Sequence, residues 1–162
     1  MERVYHEIAP VFDETSKILI LGSFPSVKSR EGQFFYHHPR NRFWKVLAAQ
    51  LECEIPSTVE EKKRMLLAHH IAVWDVIRSC EITGSSDSSI KNVEPNDLNI
   101  ILEKAEIRQI FTNGGTAYQL YQKYCRKETK KEAIRLPSTS PANAAYSMER
   151  LTKEWSIIRN LL

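Results

Sequence analysis

The chain has 162 residues, 42% of them hydrophobic and 27% charged, with a formal net charge of +3. That length suits one hydrophobic core, so a single domain over residues 1–162 is expected. The composition excludes a disordered or fibrous chain, and the mild positive charge permits a nucleic-acid partner without demanding one.

In chain order, the first residues through His6 lack the apolar run of a secretory signal. Ile18-Leu-Ile-Leu21 ends at Gly22 and predicts a buried strand stopping in a turn. Phe43, Val46 and Leu47 share one face of a helix expected over 42–51. Thr58 and Glu61 form a capping box that opens a helix reaching Leu67. Ile71-Ala-Val-Trp74 predicts a second buried strand, and the Gly- and Ser-rich stretch 83–89 a loop. A helix from Pro95 or Asn96 to Lys104 comes next. It is followed by a strand over 107–112, a break at Asn113-Gly-Gly115 and a helix to about Tyr124. Ala133 to Leu136 predicts a last strand, ended by Pro137. Ser147 is the candidate cap of a final helix whose apolar face is Met148, Leu151, Trp155, Ile158 and Leu162.

Short apolar strands alternating with helices predict an α/β fold, a three-layer α/β/α sandwich around a central, mostly parallel four-stranded sheet. No segment approaches the roughly 20 apolar residues of a membrane span. Cys53, Cys80 and Cys125 stand apart, so neither a disulfide framework nor a metal site is expected. A monomer in the reducing cytoplasm is the plain expectation. In such folds ligands bind beyond the carboxyl ends of the strands. There the segments 22–43, 74–92 and 137–146 would converge on one crevice.

Those segments hold the chemistry. Phe34, Phe35 and Tyr36 adjoin His37, His38, Arg40, Asn41 and Arg42, and rings interleaved with cations and an amide suit a planar, anionic ligand such as a nucleotide. The alternative is a solvated loop whose rings cap the core.

Gly22-Ser-Phe-Pro25 followed by Tyr36-His-His-Pro-Arg-Asn-Arg-Phe-Trp44 resembles the first motif of the uracil-DNA glycosylase superfamily. The likeness is to the mismatch-specific branch and, more strongly, to the deoxyinosine (hypoxanthine) DNA glycosylases. Leu136-Pro-Ser-Thr-Ser-Pro-Ala-Asn143 resembles the second motif. Residues 71–77, 85–90 and 110–118 fit the same order, so the resemblance covers nearly the whole chain. It implies extrusion of a damaged nucleotide and hydrolysis of its N-glycosidic bond without a cofactor. The partner is DNA carrying deaminated bases: hypoxanthine, uracil or xanthine.

The resemblance also assigns roles. Many relatives position water with an Asp or Asn where this chain has Phe24, so the role of polar catalytic residue passes to Asn41. The alternative for Asn41 is a helix cap. Tyr36 would stack on the extruded base. Ser23, Phe24, Asp75 and Asn113 are expected around that base, with Asp75 accepting from an N–H of the base or serving as a turn residue. Arg40, Ser138, Thr139, Ser140, Pro141 and Ala142 are expected to meet DNA, the serines and threonine gripping phosphate and Pro141-Ala142 forming a small wedge. Asn113-Gly-Gly115 offers amides to an anion or makes a plain turn. Asp87 joins the DNA-facing loop or a turn. Lys123, Arg126, Lys127, Lys130 and Lys131 read as a solvated helix end. Two other functions remain open: a catalytically inactive nucleic-acid-binding module on the same fold, and a nucleotide hydrolase using His37, His38 and Asp75.

Overall fold

The computed structural model describes residues 2–162. In chain order the elements are β1 (Arg3–Tyr5), β2 (Ile18–Gly22), α1 (Val27–Gly32), α2 (Phe43–Leu51), α3 (Val59–Ala68), β3 (Ile71–Asp75), β4 (Ile77–Glu81) and β5 (Lys91–Pro95). They continue as α4 (Asn99–Leu102), β6 (Gln109–Asn113), α5 (Gly115–Tyr124), α6 (Arg126–Thr129), β7 (Ala133–Leu136) and α7 (Met148–Trp155).

The central sheet has the order β3-β2-β6-β7, and all its neighbours are parallel. Every residue of β2 and β3 is buried, as strands covered on both faces must be. From β2 the chain crosses one way to β3, and later from β6 the other way to β7. Right-handed crossovers in opposite directions place α3 and α5 on opposite faces of the sheet. The three layers follow from this. The register aligns Gly22 with Asp75, and Asn113 with Leu136, so the strands end together and their loops rise on one side.

The expected helix starts are present. Thr58 accepts from the Glu61 amide and Ser147 from the Arg150 amide, each satisfying an orphan donor of the first turn. Trp155, fully buried, donates from Nε1 to the Pro137 carbonyl at 2.9 Å, tying α7 to the loop after β7.

Two features depart from the reading of the chain. A second, three-stranded sheet was not expected: β4 and β5 pair antiparallel with each other, and β1 pairs with β4. These strands are half exposed and polar on one side, so they lack the continuous apolar run that marks the central strands. The helix expected from 95 or 96 shrinks to one turn at 99–102. Asn96 is spent elsewhere: its buried amide donates to the Asp75 and Ile77 carbonyls at 2.9 and 3.2 Å. It braces the corner where the chain leaves one sheet for the other.

Candidate functional site

The strand ends enclose a cavity of about 360 Å³, within the roughly 300–1,000 Å³ range of small-molecule sites. All three expected segments contribute to it. Ser23 and Phe24 follow β2, Tyr36, His38 and Asn41 precede α2, and Asp75 ends β3. Ser138 to Ala142 follow β7, while Asp87 and Asn113 complete the wall.

The floor is built on Gly22. A Cβ there would stand 2.5 Å from Asp75 Oδ1 and 3.0 Å from the Tyr36 hydroxyl oxygen, so a larger residue would displace both. Asp75 is buried, and a buried carboxylate needs a partner. That partner is His6, whose Nε2 lies 2.8 Å from Asp75 Oδ2. The other ring nitrogen sets the tautomer. Ile8 N–H donates to His6 Nδ1 at 3.2 Å, so the ring proton sits on Nε2 and is donated to the carboxylate. Sequence reasoning missed His6. It is a lone histidine in a short segment, carried under the cavity only because β1 pairs with β4 and His6 N–H continues the ladder to the Arg78 carbonyl at 2.7 Å.

Tyr36 takes a left-handed backbone, with φ of 50°. Its ring stacks on Phe43 with centroids 3.9 Å apart. Tyr36 lines the cavity and Phe43 does not, so the second ring backs the tyrosine from outside the cavity. The Tyr36 hydroxyl is buried without a hydrogen-bond partner. Burial first, and the Asp75 charge second, push it far above the usual phenol range, partly offset by the Asn113 side chain. It stays protonated.

Asn41 does two jobs with different atoms. Its Oδ1 accepts from Phe43 N–H at 2.9 Å and from the Thr139 hydroxyl at 2.8 Å. The first bond satisfies the amide of Phe43, the first residue of α2, and the two together use both lone pairs of the oxygen. A backbone N–H can only donate, so the amide orientation is determined and Nδ2 is the group left for a ligand. The oxygen is occupied, so whatever Asn41 offers a ligand comes from its nitrogen.

Thr139, expected to grip phosphate, is fully buried. Its N–H donates to Asn113 Oδ1 at 3.0 Å and its hydroxyl accepts from Asn113 Nδ2 at 2.9 Å while donating to Asn41. Thr139 thus links the ends of β6 and β7 to the start of α2. Asn113, expected at the base, spends its carbonyl and one amide hydrogen on this link.

The loop after Thr139 is moulded from beneath. Arg42 donates to the carbonyls of Ser140 and Asn143 at 3.2 and 3.0 Å, and to that of Tyr146. A fork of rigid donors suits this. Gly114, at φ 98°, lets the loop come close: a Cβ there would lie 3.0 Å from Ser138 Cβ. Ser138 Oγ accepts from Ser140 N–H and Ser140 Oγ from Ala142 N–H, each at 3.1 Å. Both hydroxyl hydrogens remain free to donate. Pro141 and Ala142 stand exposed at the tip. Arg40 is exposed outside the cavity, and none of the basic residues 123–131 lines it.

Comparison with known proteins accords with this geometry. The model of the uracil DNA glycosylase superfamily matches residues 9–162. The chain belongs to the uracil DNA glycosylase superfamily. It is 36% identical to a hypoxanthine DNA glycosylase of Methanosarcina acetivorans over 152 residues, covering 91% of this chain and 93% of that protein. To a hypoxanthine DNA glycosylase of Methanosarcina barkeri it is 33% identical over 107 residues, covering 65% and 68%. The solution NMR structure of a candidate uracil DNA glycosylase from Methanosarcina acetivorans superposes with a TM-score of 0.79 at 33% identity, over 95% of this chain and 96% of that one. In this member of the superfamily, His6 lies ahead of the segment that the family model matches.

Proposed function

We propose that the protein is a monofunctional DNA glycosylase that hydrolyses the N-glycosidic bond of deaminated bases in DNA, hypoxanthine above all, for base excision repair. The observation that carries this reading is the pairing inside one cavity of an unspent donor, Asn41 Nδ2, with a fixed acceptor, Asp75, beside the backed ring of Tyr36. Deamination turns N1 of adenine from an acceptor into an N–H donor. A carboxylate acceptor accommodates the deaminated base and repels the normal one. The two hypoxanthine DNA glycosylases from Methanosarcina support the same choice.

The target bond is unreachable inside a stacked duplex, so the nucleotide must swing out, at a cost of a few kcal/mol. Ser138 and Ser140 would donate to phosphate while Pro141 and Ala142 fill the gap. In the reaction, water supplies the hydroxyl that joins C1′ of the sugar. The base leaves with the electron pair of the broken bond and then takes up a proton. A donor aimed at the departing base is worth most here, because charge develops there only as the bond breaks.

Oligonucleotides carrying a single hypoxanthine, uracil or xanthine, treated with the protein and then with alkali, test the reading. Strand cleavage at hypoxanthine is the expected result. Binding without cleavage on every substrate would replace the enzyme with a nucleic-acid-binding module.

A further inference from the structure

We propose that Asp87 takes the proton from the attacking water, an assignment that rests on the glycosylase reading above. The cavity is short of acceptors. Phe24 cannot accept a proton, and Asn41 Oδ1 already holds two donors. The Thr139 hydroxyl is buried and committed. His38 accepts from Arg40 N–H through Nδ1 at 3.0 Å, so its free nitrogen carries the hydrogen and donates. Tyr36 stays protonated. The serines are hydroxyls, too weakly basic near neutral pH. Two carboxylates remain, and Asp75 lies at the floor in the grip of His6.

Asp87 stands in the right place. It lines both the cavity and the outer groove that runs along Gly115, Ser138 and Ser140. With the base inside and the phosphates on the serine loop, the sugar of an extruded nucleotide must sit between, at this rim. The carboxylate is aimed rather than loose: Ser23 Oγ donates to Asp87 Oδ1 at 3.2 Å. A carboxylate has about four acceptor sites, so lone pairs remain for a water. Its turn is fastened to the rest of the site, since Val27 N–H donates to Ser85 Oγ at 2.9 Å and Arg30 to the Gly84 carbonyl at 2.7 Å.

The step balances simply. As the water oxygen bonds to C1′, its proton passes to the Asp87 carboxylate, and the glycosidic electron pair departs with the base. The proton then returns through solvent to the base. The negative charge of Asp87 also favours the cationic sugar that forms on the way. Partial removal from water at the rim raises the Asp87 carboxyl above the ordinary range, and Asp75 raises it further. The hydroxyls of Ser23 and Thr116 offset part of this. A base must be ionised to act, so excision should fall as pH drops through that raised value. The other titratable groups that share its two pockets are Asp75, Tyr36 and His38 inside, and Arg135, Tyr146 and Glu154 outside.

Single-turnover excision from a hypoxanthine-bearing oligonucleotide, followed across pH, decides the matter. Asp87→Ala and Asp87→Asn should each lose at least about a hundredfold, the usual scale of general-base catalysis. Melting temperatures should stay near wild type. Formate should restore part of the activity of Asp87→Ala, and the acid limb of the profile should be absent in Asp87→Asn. Excision by Asp87→Ala within about twofold of wild type would overturn the assignment, as would a loss that formate does not restore with the limb intact. A wild-type protein that releases no base sinks the glycosylase reading itself.

Discussion

Asn41 shows how one side chain can answer two readings of a sequence. Asparagine ahead of a helix predicts a cap, and the resemblance predicts catalysis; the oxygen holds the first amide of α2 and the nitrogen is free for the second role. The two roles separate by mutation. Asn41→Ala removes both and should lower single-turnover excision at least about a hundredfold, the scale of losing a preorganised donor, while the lost bond to Phe43 costs about 1 kcal/mol of stability. Asn41→Asp keeps the accepting oxygen and loses the donor. Its melting temperature should stay near wild type while its excision falls as far as that of the alanine variant. Retained excision in Asn41→Asp would take the nitrogen out of the chemistry. His6 and Thr139 carry the opposite lesson. Both matter to the site through partners far away in the chain, Asp75 and Asn113, and neither has a local signature.

Among the elements, the loop between β7 and α7 is held at three points. Asn113 fixes Thr139, Arg42 collects three carbonyls, and Trp155 holds Pro137. Its tip is left exposed on a braced base, the arrangement that a wedge requires. Replacing Ser140-Pro141-Ala142 with glycines should impair excision from duplex DNA more than from single strands, because an unpaired base needs no wedge to leave a stack. Rates on both substrate forms check this, and equal losses would show that the loop only closes the cavity. The strands β1, β4 and β5 escaped the reading of the chain because a strand covered on one side shows little apolar excess. Strands β2, β3 and β6 were legible because both of their faces are buried.

At the scale of the molecule, one hydrophobic cluster runs from Ile8 to Ile158 and includes Cys80 and Cys125. Burial raises both thiols, Cys125 to about 12 with the help of the Glu128 charge, while Cys53 is exposed. A thiol reacts as its thiolate, so the folded protein should take up one equivalent of a maleimide at neutral pH quickly, at Cys53. The other two should label only at the rate of global unfolding, read by mass spectrometry over time and accelerated by urea. Fast labelling of Cys125 without denaturant would show local opening beneath α5.

The amino-acid sequence by itself determined the parallel sheet, the helices that flank it and the side on which the site opens, because apolar runs, caps and breaks are local and periodic. It also named the cavity residues Tyr36, Asn41, Asp75 and Ser138 through their motifs. Tertiary structure alone decided which atom of Asn41 is free, that Thr139 is an internal link, that His6 lies under Asp75 and that Asp87 reaches the rim. The last three depend on hydrogen bonds between segments 26 or more residues apart, and Asn41 adds to its local bond with Phe43 one from Thr139. Residue spacing along a chain carries no record of which lone pair such a bond will occupy.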